Sequence, residues 1–155
     1  MDLPPDFKEL LEEFARDAVE LVLVGGYAVA FHGRPRATKD IDLVVEGSAE
    51  NLTRAAAALA RFGAPTNVVT AVAHMQPQDI VYLGQPPLRI DLMRSIDGVQ
   101  PASLFERAVP AALDGVQLKV ISLDDLIANK QAAGRPQDLI DVKFLERVRD
   151  RARRP

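Results

Sequence analysis

At 155 residues, 48% of them apolar and 26% charged, the chain has the size and balance of one globular domain, which excludes a disordered or fibrous protein. It has no cysteine and only two histidines, so disulfides, thiolate metal sites and cysteine nucleophiles are ruled out and zinc sites or histidine triads lack material. The formal charge of −3 gives no overall attraction to nucleic acid, and no apolar run is long enough for a membrane span, so a cytoplasmic protein is expected.

The expected organisation is a single domain over residues 1–150 followed by a short basic tail, 151–155, that continues a run of arginines beginning at Arg147. After Pro4 and Pro5, apolar Leu10, Leu11, Phe14, Ala15 and Ala18 recur at helical spacing and predict a helix over 6–17. Residues 21–24 read as a buried strand ending at Gly25-Gly26, and 27–32 as a short helix closed by Gly33 and barred by Pro35. A strand over 41–45 precedes an alanine-rich helix opened by Ser48 and ended near Gly63 and Pro65. Residues 66–75 fit strand and helix equally well.

Two strands, 80–83 and 88–93, flank the Gly84-Gln85-Pro86-Pro87 turn as an antiparallel hairpin. A helix over 103–108 and a strand over 116–120, after Asp114-Gly115, come next. Ser122 caps a helix over 123–133 that stops at Gly134, and a last helix runs over 136–149. The fold class is therefore α+β, a small mixed sheet packed with helices mainly on one side.

Chemistry enters with the carboxylates. Residues two apart in a strand share a face, so Asp40 and Asp42 project together while Ile41 and Leu43 enter the core. Asp91 repeats the pattern between Ile90 and Leu92. If all three met within ~6 Å, each pair would repel by about 3 kcal/mol at an effective dielectric of 20, which demands a cation, a protonated carboxyl or separation. Oxygen-only ligands suit magnesium or manganese. The bland alternative places Asp40 and Asp42 in water and pairs Asp91 with Arg89 or Arg94.

Gly25-Gly26, between a strand and a helix, would expose backbone N–H groups to a phosphate or form a plain turn; neither G-x-G-x-x-G nor G-x-x-x-x-G-K-[ST] occurs. Lys130 has the apolar Leu126 four residues before it, which leaves its charge free for a ligand or simply exposed. Arg34, Arg36 and Lys39 either draw phosphate or acceptor to the site or solvate their loop. His32 fits stabilisation of a helix C-terminus, and His74 has no assigned role.

The ordered set VGGYAVAFHGRPRATKDIDL, RIDLM and VISLDDLIANKQAAGRPQDLIDV, which covers most of the chain, resembles the nucleotidyltransferase superfamily typified by DNA polymerase β. It is most similar to the minimal bacterial members related to AbiEii-type toxins and antibiotic nucleotidyltransferases. The resemblance implies metal-dependent transfer of an NMP from an NTP, with Gly25 and Gly26 at the triphosphate. Asp40, Asp42 and Asp91 would carry Mg2+ or Mn2+, with Asp91 also assisting deprotonation of the acceptor. Lys130 and Asp138 match a later motif in which a lysine reaches the phosphates and the aspartate orients it; Gln137 stands where relatives often carry lysine.

It further implies a tRNA acceptor and a cognate antitoxin as partner. The alternatives are a small-molecule antibiotic acceptor, with a homodimer completing its pocket, a protein acceptor, or a degenerate nucleotide-binding protein without turnover.

Overall fold

The structure, a computed structural model, describes residues 2–85 and 87–154. Helix α1 (Pro5–Arg16) starts with proline in its first turn, where no N–H is needed, and buries Phe7, Leu10, Leu11 and Phe14 along one stripe. Each of those side chains contributes about 1.5–3 kcal/mol by leaving water. Strand β1 (Leu21–Val24) follows, buried at every residue. Because alternate strand residues point to opposite faces, the sheet is covered on both sides at β1, so the helices do not keep to one side there.

Helix α2 (Gly25–Phe31) leaves β1 without an intervening loop, and β2 (Asp40–Val45) returns beside it. Helix α3 (Ala49–Phe62) is capped by Ser48, whose hydroxyl accepts the Asn51 N–H, and ends at Gly63 in the left-handed conformation. The buried Asn51 amide bonds the main chain of Glu20 and Glu46, tying the entrance of β1 to the exit of β2. Residues 66–75, equally compatible with strand and helix, form α4 (Thr66–Ala73) and bury Val68 and Val72.

The expected hairpin is β3 (Ile80–Leu83) and β4 (Arg89–Met93), paired antiparallel. Pro86 of its turn lies outside the described residues. Helix α5 (Pro101–Arg107) precedes a strand that the sequence reading missed, β5 (Val109–Leu113), paired antiparallel with β6 (Val116–Val120). Asp114 and Gly115, at φ 50 and 81, supply the two left-handed residues of that tight turn.

Helix α6 (Leu123–Ala133) is capped by Ser122 and closed by Gly134 as expected. Helix α7 (Pro136–Ala152) runs further than expected, so Arg151 is helical and the separate tail shrinks; Pro155 is not described.

The strand order is β3-β4-β2-β1-β6-β5, with β1/β6 and β2/β4 parallel and the other pairs antiparallel. This is the mixed α+β sheet expected from the sequence. The register aligns Val24, Asp42 and Asp91 in one row across β1, β2 and β4, where β1 gives way to α2. Among the described residues no helix is long and apolar enough to cross a membrane.

Candidate active site

Asp42 and Asp91 are direct neighbours across parallel strands, so their carboxylates leave the same face of the sheet. Asp91 is buried, at 7% exposure. The consequence falls on Asp42, whose pKa is pushed up from 3.8 to about 7, first by burial and then by the charge and hydrogen bonding of Asp91 and the charge of Asp40, with Lys130 pulling it the other way. The glycine step serves this carboxylate. Gly25 has φ +70, and a Cβ there would stand 2.1 Å from Asp42 Oδ2, so only glycine lets the backbone pass so close.

These residues line a cleft of about 560 Å3, walled by Gly25, Asp40, Asp42, Arg89, Asp91 and Lys130, with Asp97, Asn129 and Arg135 completing its polar lining. Its size suits a small-molecule ligand. A second groove of about 550 Å3, beside α1, α5 and β6, combines apolar residues such as Leu11, Phe14 and Phe105 with Glu20, Glu106 and Lys119; the row of facing carboxylates belongs to the first.

Lys130 is not the free cation that its neighbour Leu126 suggested. It is 5% exposed, and its ammonium lies 3.2 Å from Asp138 Oδ1 and 3.4 Å from Asp141 Oδ2. Asp138 in turn accepts the Arg135 main-chain N–H at 3.2 Å and the Arg135 Nε–H at 2.7 Å, which also caps α7. Burial pushes the Asp138 carboxyl up, but hydrogen bonds from Arg135 and Lys130 outweigh it and hold it below its ordinary range. Asp141, fully buried, gathers Arg34 at 3.1 Å, Arg36, Gln137 at 3.1 Å and Lys130.

Sequence reasoning missed Asp141 and Arg135. The spacing Asp138-x-x-Asp141, one helical turn, was the available signal for the former.

The other expected contacts are rearranged. Arg36 does not line the cleft: its guanidinium bonds Asp141 and stands 3.4 Å from where a Cβ on Gly26 would be. Gly26 is buried against Thr38, whose Oγ1 would lie 2.9 Å from that Cβ, so its lack of a side chain serves loop packing. Lys39 is exposed and also outside the cleft lining. His32, at the end of α2, places Nε2 2.7 Å from the Ile121 carbonyl; burial lowers its pKa, which favours a neutral ring donating that N–H.

Whether the carboxylates fit a metal can be tested on their chemistry. Asp42 and Asp91 form an all-oxygen pair in which burial, and then the neighbouring charge, drive one carboxyl towards protonation, the condition that a hard divalent cation relieves. Among the described residues, however, no three acidic or histidine side chains close into one metal-holding group. Arg89 stands against two of the three aspartates: its Nε is 2.7 Å from Asp91 Oδ1, and its Nη2 reaches Asp40 Oδ2 at 3.5 Å. The chemistry of the pair suits a cation, and the Asp40 carboxylate, 3.5 Å from Arg89, lies beside it.

Known proteins share this architecture. The lincosamide antibiotic adenylyltransferase LnuA, solved with lincomycin bound, superposes with a TM-score of 0.63 at 18% identity, covering 94% of this chain and 98% of its own. The Thermotoga maritima protein TM1012, described as a nucleotidyltransferase, gives 0.59 at 16% identity with 96% and 94% coverage. The antibiotic-resistance factor ANT(2'')-Ia gives 0.60 at 16% identity with 96% and 90% coverage. At these identities the likeness establishes the fold. No curated protein matches the sequence. Residues 5–154 match the family described as "Nucleotidyl transferase of unknown function (DUF2204)", and the chain belongs to that family of transferase enzymes.

Proposed function

We propose that this nucleotidyltransferase moves a nucleoside monophosphate from an NTP to an acceptor in the cleft beside β2 and β4. The acceptor oxygen bonds to the α-phosphorus, the bond from that phosphorus to the β-phosphate bridge breaks, and pyrophosphate leaves. The observation that carries this reading is the Asp42–Asp91 pair, two facing carboxylates with one pKa raised to about 7 in a polar cleft.

Magnesium or manganese held by Asp42 and Asp91, with Asp40 as a further oxygen donor, would neutralise charge on the phosphate oxygens. The remaining work falls to the chain. Lys130, fixed by Asp138 and Asp141, presents a buried positive charge to the cleft and draws the triphosphate without having to be ordered on binding. Asp91 accepts the proton of the acceptor hydroxyl once its oxygens are free. Gly25 keeps Asp42 seated against the backbone. Gln137, which bonds Asp141, belongs to the support of Lys130 rather than to the phosphates.

For the acceptor, we infer tRNA with a cognate antitoxin as protein partner, on the resemblance to AbiEii-type toxins. A small-molecule antibiotic is the second reading. It is favoured by the names of the structural neighbours, among them ANT(2'')-Ia with adenylyl-2''-tobramycin, and by the modest volume of the cleft. A second copy of the chain would then help to enclose the acceptor, which light scattering of the active species tests.

The deciding experiment incubates the protein with each α-labelled NTP, Mg2+ or Mn2+, and either total tRNA or a panel of lincosamides and aminoglycosides, with Asp42→Asn as control. Label on tRNA that is lost in the variant supports the first reading, and label on a drug supports the second. Labelling that survives Asp42→Asn overturns the site.

A further inference from the structure

Arg89 opens β4 two residues before Asp91, so both side chains leave the same face, and its register partner on β2 is Asp40. Its guanidinium takes both oxygens of Asp91, Nε to Oδ1 at 2.7 Å and Nη2 to Oδ2 at 3.2 Å, and extends to Asp40 at 3.5 Å. It also lies 4.5 Å over the ring of Tyr82, which faces Asp91 from β3. Forked pairing with a carboxylate and stacking on an aromatic face are the two contacts in which arginine outperforms lysine.

The other two cations of the cleft are held from behind. Lys130 is gripped by Asp138 and Asp141, and Arg135 by Asp138. Arg89 alone among these three is bound to the carboxylates of the site itself. Its side chain is 45% exposed at the first residue of β4, so it can swing out while its backbone stays in the sheet.

The geometry points to Arg89 as a resident counter-cation that must be displaced before Asp91 can ligate a metal or accept a proton. It thereby sets the divalent-cation threshold of the enzyme. The inference rests on the metal reading of Asp42 and Asp91 proposed above. A carboxylate whose two oxygens both accept N–H groups from one guanidinium offers a second cation only crowded lone pairs and like-charge repulsion. Tyr82, 52% exposed, is the surface over which the departing guanidinium stays stacked. Arg89 is thus a positioning residue: it acts through Asp91 and Asp40.

The test is a Mn2+ titration of the nucleotide-free protein followed by electron paramagnetic resonance, on wild type, Arg89→Met, Arg89→Lys and the Asp42→Asn/Asp91→Asn double variant, each checked by circular dichroism. Arg89→Met, which keeps the apolar stem, should bind Mn2+ about tenfold more tightly, and Arg89→Lys, which keeps the charge but loses the fork, about threefold more tightly. The double variant should bind it more weakly than wild type.

If Arg89→Met binds no more tightly than wild type while the double variant weakens, the displacement idea is overturned and the metal reading survives. If Arg89→Met gains but Arg89→Lys matches wild type, only net charge matters and the forked contact is overturned as the cause. Binding unaffected in the double variant, or absent from every protein, overturns the metal reading and this inference with it.

Discussion

Two groups of charged side chains meet near Lys130, and they are balanced in opposite ways. Around Asp138 and Asp141, two buried carboxylates are met by Lys130, Arg34, Arg36 and Arg135, so each anion has several donors. Around Asp42, two carboxylates face each other with a third nearby, and the resident cation touches only Asp91 and Asp40. The first group behaves as a scaffold that fixes Lys130, because every buried anion in it is compensated. The second leaves a buried charge short of partners, which shows as the pKa of Asp42, raised first by burial and then by the charge of Asp91 and Asp40. Burial alone therefore does not mark the site; uncompensated burial does.

The largest effect expected from breaking this contrast is at Asp141. Asp141→Asn removes the anion shared by Arg34, Arg36 and Lys130 and should cost about 3 kcal/mol or more of stability, since a buried ion pair broken on one side leaves uncompensated charge. Urea denaturation measures the loss, and an unchanged midpoint would show that the network is structurally idle.

The opposite sign is expected at Asp42. Its folded pKa of about 7 lies above the ordinary 3.8, so between those values the folded chain binds the extra proton, and stability falls as pH rises through that window. Asp42→Asn, in EDTA-treated protein, should therefore be more stable than wild type by about 2 kcal/mol at pH 8. That advantage should shrink steadily towards pH 4, and nucleotidyl transfer should be lost. Denaturation curves at pH 4, 6 and 8 check it; equal stability of the two proteins at all three contradicts the raised pKa of Asp42.

A smaller effect, of about 1–2 kcal/mol, is expected from Gly25→Ala, which forces a side chain into φ +70 against the Asp42 carboxylate. Its sharper consequence is for catalysis, because Asp42 must move. Activity lost well beyond the stability change, read from kcat at a temperature where the variant is fully folded, separates the two.

The sequence made one of these groups legible and hid the other. The D-x-D alternation, the glycine pair and the repeat at Asp91 are local patterns of period two, and strand geometry turns them directly into a shared face. The pairing of Lys130 is not local in that sense. Its partners lie eight and eleven residues on, across the Gly134–Pro136 turn, where a test of the i−4 position on one helix cannot find them. Asp141 was hard to read for the same reason, since two of its four partners, Arg34 and Arg36, come from the loop before β2 and the Asp138-x-x-Asp141 spacing names none of them.

Strand β5 was missed because VPAAL carries proline at its second residue and little β-branching, and only pairing with β6 makes it a strand. The β-branched valines and threonines of α4 kept that segment ambiguous until packing decided it.

The grip of Asp141 on Arg34 and Arg36 joins residues 107 and 105 positions apart. On a ribosome, the β1–β2 pair and its carboxylates emerge long before the last helix does. Until α7 arrives, Arg34 and Arg36 lack the Asp141 carboxylate and Lys130 lacks both of its ion-pair partners. A nascent chain thus carries the acidic strand early but completes the support of Lys130 only once α7 has been made.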